Sequence, residues 1–422
     1  MVRIHIDSLN NKRIIMRHYL FIWELGSGFG HISQLLYLAN SLASTNNKIS
    51  FIVSPVTKLD YSKKPYSDYS FFTSPLIPIA LHKYHRPPES YAEILYLCGY
   101  HNTTEIEHSV KHWSDLFTQI QPDTVIFDTS PTALIASRAF TFERIIVGNG
   151  FVSPPSITPL PTFNYAPSLD QQVTQHESAD IERTILGNIN AACARLNIPK
   201  LNYLYDIYSA DKKWILGTAE FDPYSNFRQD EHYIGHIPMP EKFTHNSIAW
   251  QKKPKNKSKN KSKNKRIIAY LKNQYPMKLD FIQALIELEY EANIFISDLP
   301  DPSVLNAMHQ KIHITNKPFD LSVSIKDCDI FVCHAGIGAI QESLNCEVPV
   351  FCIPLQQEQM LVGRKCLSHK LGGGTSPFSK KEKIIKKLTE LIRDAECYLR
   401  VRAYNKKYLH LKPNAALAKL FR

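Results

Sequence analysis

The sequence, 422 residues long, lacks any apolar run of the ~18–20 residues that a membrane-spanning helix requires. The segment Met1–Leu20 mixes charged and apolar residues and lacks the apolar core that is typical of a secretory signal. None of the eight cysteines forms a C-x-x-C pair, so the paired ligands of a zinc site are missing. We therefore expect a cytoplasmic protein that keeps its thiols reduced and has no metal site.

Acidic residues are absent from Lys252–Arg266, which holds nine of the 50 Lys and Arg residues. Without this run the chain carries 41 basic against 39 acidic residues, a net charge of +2 rather than +11. Nucleic-acid-binding proteins typically carry a basic stripe on a domain surface. Because the chain outside this run is nearly neutral, we expect no nucleic-acid partner. The Lys/Asn/Ser run predicts an interdomain linker or insertion, because it cannot build a core. A nuclear signal and peripheral attachment of the run to an anionic membrane are open alternatives.

Apolar runs of strand length alternate with segments of helical periodicity in both halves of the chain. Tyr19–Trp23 leads through a Gly-rich turn into a helical pattern and then into a second run, Ile49–Val53. The same alternation starts again at Arg266–Leu271. We predict an α/β protein of two Rossmann-like, doubly wound domains. The predicted division is an N-terminal domain over 1–245, a linker over 246–265 and a C-terminal domain over 266–422, whose last helix could return to the first domain.

The common cofactor fingerprints are missing. The pattern G-x-G-x-x-G fails after Gly26 and Gly28 because His31 occupies the place of the last glycine, and no acidic ribose ligand follows at the usual distance. P-loop, G-x-S-x-G and H-E-x-x-H motifs are also absent. We therefore expect no cofactor. The D-x-D-like run Asp327-Cys328-Asp329 precedes a predicted strand, so we expect it on the side of the sheet away from the ligand.

His31 follows the first Gly-rich turn, at the start of a helix and at the carboxyl end of a strand. Open α/β sheets bind ligands at that edge. The positive end of the helix disfavours an imidazolium, so we expect the neutral imidazole that a general base requires. A capping or core histidine is the alternative. Asp128 ends another strand of the same predicted sheet, and a turn-forming aspartate is its alternative role.

A second strand-to-helix turn covers Cys333–Glu342. His334 and the amides of Gly338 and Ala339 could hold a diphosphate there, and the Glu342 carboxylate suits vicinal ribose hydroxyls. After the next predicted strand, Glu358 and Gln359 can exchange hydrogen bonds with sugar hydroxyls.

This order of residues resembles the UDP-glucuronosyltransferase-like glycosyltransferases of GT-B fold. Their donor motif runs His-x-Gly-x-x-x-x-x-Glu, then a Val-Pro strand, then Pro and an acidic-Gln pair. The matching positions, in order, are His334, Gly336, Glu342, Val348-Pro349, Pro354 and Glu358-Gln359. The resemblance implies that the two domains face each other across a cleft, with the donor-binding residues in the second domain.

The resemblance further implies an inverting, metal-independent glycosyltransferase. A hexose would pass from a nucleotide-diphosphate sugar, a UDP-sugar first of all, to a hydroxyl of a small or lipid-like acceptor. His31 would be the base and Asp128 would orient it.

Three departures from the family pattern keep alternatives open. Ala339 replaces the usual Ser or Thr, Lys272 lies where a Gly-Ser turn is usual, and Asn316 replaces the base-stacking Trp. The alternatives are a nucleotide-sugar epimerase of the same fold and a catalytically degenerate nucleotide-sugar-binding protein. Incubation with UDP-sugars would distinguish the transferase, the epimerase and the binding protein.

Overall fold

Two parallel sheets organise the chain in the computed structural model, which describes residues 16–26, 30–43, 47–55, 60, 66–75, 88–163, 169–228, 232–237, 248, 250 and 265–411. Each sheet belongs to one half of the chain and is covered by helices, so the predicted fold class of two Rossmann-like α/β domains is confirmed. The central strands are buried along their whole length, which explains why they appear in the sequence as continuous apolar runs.

The first sheet contains seven strands within the described residues, all paired in parallel, in the order β3-β2-β1-β4-β5-β6-β7. They are β1 (His18–Trp23), β2 (Lys48–Val53), β3 (Ser70–Thr73), β4 (Thr124–Asp128), β5 (Glu143–Asn149), β6 (Lys212–Leu216) and β7 (His232–Gly235). Because every strand runs in the same direction, the segments that follow them emerge at one edge of the sheet.

The helices of the first half are α1 (Gly30–Ala43), α2 (Tyr91–Leu95), α3 (Thr103–Ile120), α4 (Pro131–Ser137) and α5 (Leu169–Arg195), with a π-helical turn at Tyr96–Tyr100. Helix α3 begins where Asn102 accepts hydrogen bonds from the backbone amides of Thr104 and Glu105. The apolar periodicity in the sequence predicts a helix that begins at Asp180. Helix α5 starts eleven residues earlier, at Leu169.

The second sheet has six described strands in the order β10-β9-β8-β11-β12-β13, again all parallel. The strands are β8 (Arg266–Lys272), β9 (Glu291–Ser297), β10 (Ile312–Thr315), β11 (Ile330–Cys333), β12 (Val350–Cys352) and β13 (Gly372–Gly374). The helices are α6 (Lys278–Glu287), α7 (Ser303–Asn306), α8 (Leu321–Ser324), α9 (Ile337–Asn345), α10 (Gln357–Ser368), α11 (Lys381–Arg393) and α12 (Ala395–Tyr408).

The sequence over 380–399 has a helical pattern, and the structure is helical there, but with a break. The segment forms α11 and the first part of α12, which meet at Asp394. The Asp394 side chain accepts a hydrogen bond from the backbone amide of Cys397 and so starts a new helix. The sequence also predicts a helix over 414–420. That segment and most of the basic run 252–266 lie outside the described residues.

The two halves touch through residues that follow β6 and β7. A Cβ atom at Gly217 would lie 2.8 Å from Nε2 of Gln341, and one at Gly235 would lie 2.6 Å from the carbonyl oxygen of Leu411. Both glycines have positive φ angles, 105° and 75°. The backbone of the first domain therefore approaches the second more closely than any side chain at these positions would allow.

The end of α12 also contacts the first domain. The hydroxyls of Thr218 and Tyr404 are 2.8 Å apart, and the Glu220 carboxylate accepts hydrogen bonds from Lys407 and Tyr408. The predicted domain boundaries themselves stay a prediction. Among the helices that the structure describes, none combines the length and apolarity needed to cross a bilayer.

Candidate active site

His31 and Asp128 lie together at the carboxyl edge of the first sheet. Nδ1 of His31 is 2.8 Å from Oδ2 of Asp128, and the Asp128 side chain is almost fully buried. A carboxylate only accepts hydrogen bonds, so Nδ1 carries the proton and Nε2 keeps its lone pair. Asp128 is further held by the Thr129 hydroxyl, which donates to its second oxygen at 2.8 Å.

Aromatic packing fixes the plane of the His31 ring. It stacks on Trp23 with 5.2 Å between ring centroids and 18° between planes. Gly26, with φ of 103°, passes beside the ring, and a Cβ there would be 3.2 Å from Nε2. The lack of a side chain at Gly26 thus leaves room beside the nitrogen that carries the lone pair. About a fifth of the His31 side chain is exposed, so a ligand can reach it.

The pKa of His31 differs from the expectation of a lowered value. Burial lowers the pKa, but the charge of Asp128, its hydrogen bond and the charge of Glu358 raise it above the ordinary value overall. The position at the helix N-terminus alone predicts a lower pKa, whereas the carboxylates of Asp128 and Glu358 together outweigh burial and raise it. The imidazolium that forms when a base accepts a proton is therefore stabilised here.

A further buried carboxyl, Glu24, follows β1. Its Oε2 accepts hydrogen bonds from the backbone amides of Thr132 and Ala133, at the start of α4, at 3.0 and 3.3 Å. Burial raises the pKa of Glu24 to about 7, although these hydrogen bonds act in the opposite direction. The residue is only 1% exposed, so it caps α4 from inside the domain rather than from the cleft.

The start of α9 faces the His31 region. Gly336 is the N-cap of this helix, and no side chain caps it. The first backbone hydrogen bond at this end runs from Ile340 to Gly336, so the amides of Gly338 and Ala339 precede the helical ladder. A Cβ at Gly338 would lie 3.8 Å from Nε2 of Gln34, which is one turn after His31 on α1. The first turns of α1 and α9 therefore oppose each other across the cleft.

His334 is buried between two strands. Its Nε2 accepts a hydrogen bond from the backbone amide of Lys272 at 2.8 Å, so Nδ1 carries the proton and donates to the carbonyl of Ile353 at 2.7 Å. Burial lowers the pKa of His334 to about 4. In this arrangement both ring nitrogens hold backbone groups, and direct contact with a diphosphate would require one of them to be released. Its predicted role in donor binding stays a prediction.

The two predicted donor carboxylates both contact the first domain. Oε2 of Glu342 is 2.5 Å from Nε2 of His236, which follows β7. Oε1 of Glu358, in the first turn of α10, accepts a hydrogen bond from Nδ2 of Asn149 at 2.7 Å. Gln359 instead faces its own loop, where its side-chain carbonyl accepts from the amide of Leu355 at 2.9 Å.

Asn149 and His236 were missed by the sequence reasoning. Asn149 ends β5, and the signal for it was the Gly148-Asn149-Gly150 run after a predicted strand. His236 follows a short strand with no recognisable motif, so nothing in the sequence marked it. Both residues act across the interface, and contacts between distant segments leave no local pattern.

Residues 66–100 are rich in Tyr and Phe, a pattern that fits either an apolar acceptor pocket or ordinary core packing. Tyr91 and Tyr100 are 2% and 0% exposed and belong to the core of the first domain. Phe71 stacks on Phe51 in the sheet, with ring centroids 4.9 Å apart. Tyr84 lies outside the described residues. For these core residues the ordinary packing role applies.

The D-x-D-like run lies away from the cleft, as its position before a strand predicts. Asp329 precedes β11, and its carboxylate binds the side chain of Lys265 and the backbone amide of Arg266 at the amino end of β8. Among the described residues, no cluster of three or more potential metal ligands occurs.

Comparison with protein-family models gives one match in the second half of the chain. Residues 301–412 match the glycosyltransferase family 28 C-terminal domain. The chain is a glycosyltransferase. The match includes α9 and α10, which carry the predicted donor residues, and the predicted enzyme class is confirmed. Comparison with curated proteins found no match.

Solved structures similar to this glycosyltransferase share its whole architecture. The calicheamicin glycosyltransferase is 16% identical, with a TM-score of 0.69 over 96% of this chain and 98% of that one. A glycosyltransferase of kitacinnamycin is 13% identical, with a TM-score of 0.67 over 96% and 98%. A Streptomyces glycosyltransferase complexed with thymidine diphosphate is 14% identical, with a TM-score of 0.61 over 96% and 99%. At these identities the likeness concerns the fold, and the predicted GT-B fold is confirmed.

Proposed function

We propose that the protein is an inverting glycosyltransferase that moves a hexose from a UDP-sugar to a hydroxyl of a small or lipid-like acceptor, without a required metal ion. The observation that carries the proposal is the position of the His31–Asp128 pair. Its helix α1 opposes the uncapped start of α9, so a base and an anion-binding helix end face the same cleft.

The reaction needs a base on the acceptor side. Nε2 of His31 would take the proton of the acceptor hydroxyl as the oxygen attacks the anomeric carbon. Asp128 holds the ring through Nδ1 and stabilises the imidazolium that results. A new bond forms between the acceptor oxygen and the anomeric carbon from the face opposite the diphosphate, so one displacement inverts that carbon.

The leaving group departs on the donor side. As the bond from the anomeric carbon to the diphosphate oxygen breaks, the electron pair stays on that oxygen as negative charge. The amides of Gly338 and Ala339 at the positive end of α9 would stabilise this charge. The carboxylate of Glu342 would accept hydrogen bonds from ribose hydroxyls once they replace His236. The Glu358 carboxylate would accept from a hexose hydroxyl through Oε2, while Asn149 keeps its hydrogen bond to Oε1.

The nucleotide base is the part of the proposal with a named competitor. Asn316, at the position of the base-stacking Trp in the resembling family, donates from its side-chain amide to the carbonyl of Leu299 at 3.1 Å. One of the similar structures is complexed with thymidine diphosphate. A thermal-shift comparison of UDP and TDP would test the choice, since a ligand that binds only the folded state raises the melting temperature. If TDP raised the melting temperature more than UDP did, the proposed donor would be a TDP-sugar instead of a UDP-sugar.

The activity test is incubation with a panel of UDP- and TDP-sugars, with and without a mixture of hydroxyl acceptors. Release of nucleoside diphosphate that depends on acceptor, with a product of inverted anomeric configuration, is expected. An isomerised sugar nucleotide without acceptor would indicate the epimerase instead. Tight nucleotide binding with neither product would indicate a binding protein, and a product of retained configuration would contradict the base mechanism.

A further inference from the structure

Asn149 connects the two halves of the candidate active site. It lies at the carboxyl end of β5, next to β4, which ends in Asp128. The neighbourhood is tight, since a Cβ at Gly148 would lie 3.4 Å from Oδ1 of Asp128. From this position the Asn149 side chain reaches Glu358 in the second domain, with 2.7 Å between Nδ2 and Oε1.

The orientation of the Asn149 amide is fixed by its other contacts. Its Oδ1 accepts hydrogen bonds from the backbone amides of Phe151 and Val152, at 3.1 and 3.4 Å. These bonds can only be made to the oxygen, so the NH₂ group must face Glu358. Asn149 is therefore a donor aimed at a carboxylate of the other domain.

The loop that carries Asn149 is held rigidly from behind. The guanidinium of Arg228 donates to the carbonyls of Gly150 and Ser153 at 2.8 Å and pairs with Asp222. Both charged side chains of this pair are at least 97% buried. Because a buried ion pair resists displacement of either partner, the donor position at Asn149 is well defined.

Glu358 is close enough to His31 for each charge to affect the other. The pKa of Glu358 is raised by burial, whereas the charge of His31 and the hydrogen bond from Asn149 lower it. The hydrogen bond thus favours the ionised carboxylate. In turn the charge of Glu358 contributes to the raised pKa of His31.

We propose that Asn149 is a positioning residue that holds the Glu358 carboxyl group of the donor domain beside His31 of the acceptor domain. The base then has two carboxylate neighbours only when the domains meet, so the proton-accepting state of His31 is coupled to the contact between domains. The inference rests on the proposed function for its catalytic meaning, and on the contacts above for the geometry.

The test compares Asn149→Ala with two other variants, Asn149→Asp and a control substitution at Asn102. Asn102→Asp is the control, because Asn102 also accepts two backbone amides with Oδ1 but is exposed and remote from Glu358. Asn149→Asp keeps the acceptor for Phe151 and Val152 and replaces the donor toward Glu358 by an oxygen. Thermal melting would establish that each variant is folded.

NMR titration of the His31 ring gives a readout that does not depend on turnover. Loss of the donor lets Glu358 take up a proton or move away, so the His31 pKa should fall in Asn149→Ala and in Glu358→Gln and stay unchanged in Asn102→Asp. An unchanged His31 pKa in folded Asn149→Ala would overturn the proposal.

Kinetics supply a second, independent readout through a double-mutant cycle. If Asn149 acts through Glu358, Asn149→Ala should lower kcat about 10-fold or more in the wild-type background and less than 2-fold in the Glu358→Gln background. Equal losses in both backgrounds would show a merely structural role and overturn the proposal. An inactive wild-type protein would instead contradict the proposed function, while the NMR titration would still decide the role of Asn149.

Discussion

His31 is bordered by carboxylates from two domains, and of these two carboxylates it is Asp128 that hydrogen-bonds to the ring. The hydrogen bond orients the ring, while Glu358 contributes charge alone. Removal of each group should therefore have a different kinetic signature.

The first prediction concerns the base itself. His31→Ala should reduce transfer by about 10²–10⁴-fold, the usual contribution of a general base, with nucleotide affinity retained because the predicted donor contacts lie in the other domain. Asp128→Asn should lose less, since it alters only the orientation and charge around the ring. Initial rates and calorimetric nucleotide binding on the same folded variants would check this. Equal loss of rate and binding would move His31 to the donor phosphates.

The second prediction is the sign of the pH dependence. A base must be neutral, so kcat/KM should increase with pH through the raised pKa of His31. Asp128→Asn removes the negative charge that favours the imidazolium, so the increase should move to lower pH while the plateau falls. A pH–rate profile of both proteins checks this. A shift to higher pH would contradict the assigned electrostatics.

The third prediction concerns Glu24 and stability. An acid with a folded-state pKa of about 7 against 4.5 unfolded holds its proton more tightly in the folded protein, so stability should fall as pH rises from 4.5 through 7. The 2.5-unit difference corresponds to about 3 kcal/mol. Glu24→Gln should gain about that much relative to wild type between pH 5 and pH 8, as measured by denaturant unfolding. The exposed variant Glu382→Gln should show no such gain.

At the scale of elements, the sequence predicted the buried core strands better than the glycine-rich strand β13. The core strands β1, β4 and β8 are continuous apolar runs, and burial on both faces makes such runs visible. Strand β13 was missed because it is Gly372–Gly374, which has no β-propensity. It is a strand because it pairs in parallel with β12, and it needs glycine because a Cβ at Gly372 would lie 2.1 Å from the Val350 carbonyl.

Some residues of the candidate site could likewise be predicted from the sequence, and others could not. Residues of the two strand-to-helix turns, such as His31 and Glu342, could be found because turn and helix are adjacent in sequence. The partner of Glu342 could not, because His236 is 106 residues away and meets it only when the domains pack. Likewise, the engagement of both His334 nitrogens by backbone depends on neighbouring strands that the sequence does not place.

The fourth prediction follows from the element α9. His236 occupies Oε2 of Glu342, and ribose hydroxyls would replace it there. His236→Ala should therefore tighten nucleotide binding several-fold, because that contact no longer has to be broken. Glu342→Ala should weaken binding by roughly 1–3 kcal/mol, since hydroxyls lose a buried acceptor. Calorimetric titration with UDP would measure both. Unchanged affinity in Glu342→Ala would remove the ribose assignment.

At the scale of the whole molecule, the charge is unevenly distributed along the chain. The fifth prediction is that replacing the 252–265 run by a neutral Gly/Ser run of equal length leaves folding and turnover of a water-soluble acceptor nearly unchanged. If the run attaches the protein to an anionic membrane, which is one of the open alternatives, the replacement would weaken co-sedimentation with anionic vesicles, because each Lys near such a surface contributes about 1 kcal/mol. A large loss of turnover on the water-soluble acceptor would assign the run to the catalytic cleft.

The interface glycines have a consequence for how far apart the two reacting partners sit. At Gly217 a larger residue would meet the end of the Gln341 side chain, which can turn aside, whereas at Gly235 it would meet the backbone of Leu411, which cannot. A misplacement of the reacting atoms by about 1 Å can lower a rate by about 10²-fold. The approach of an acceptor oxygen to an anomeric carbon would thus depend on Gly235, a position remote from the chemistry where a hydrogen atom is the only side chain.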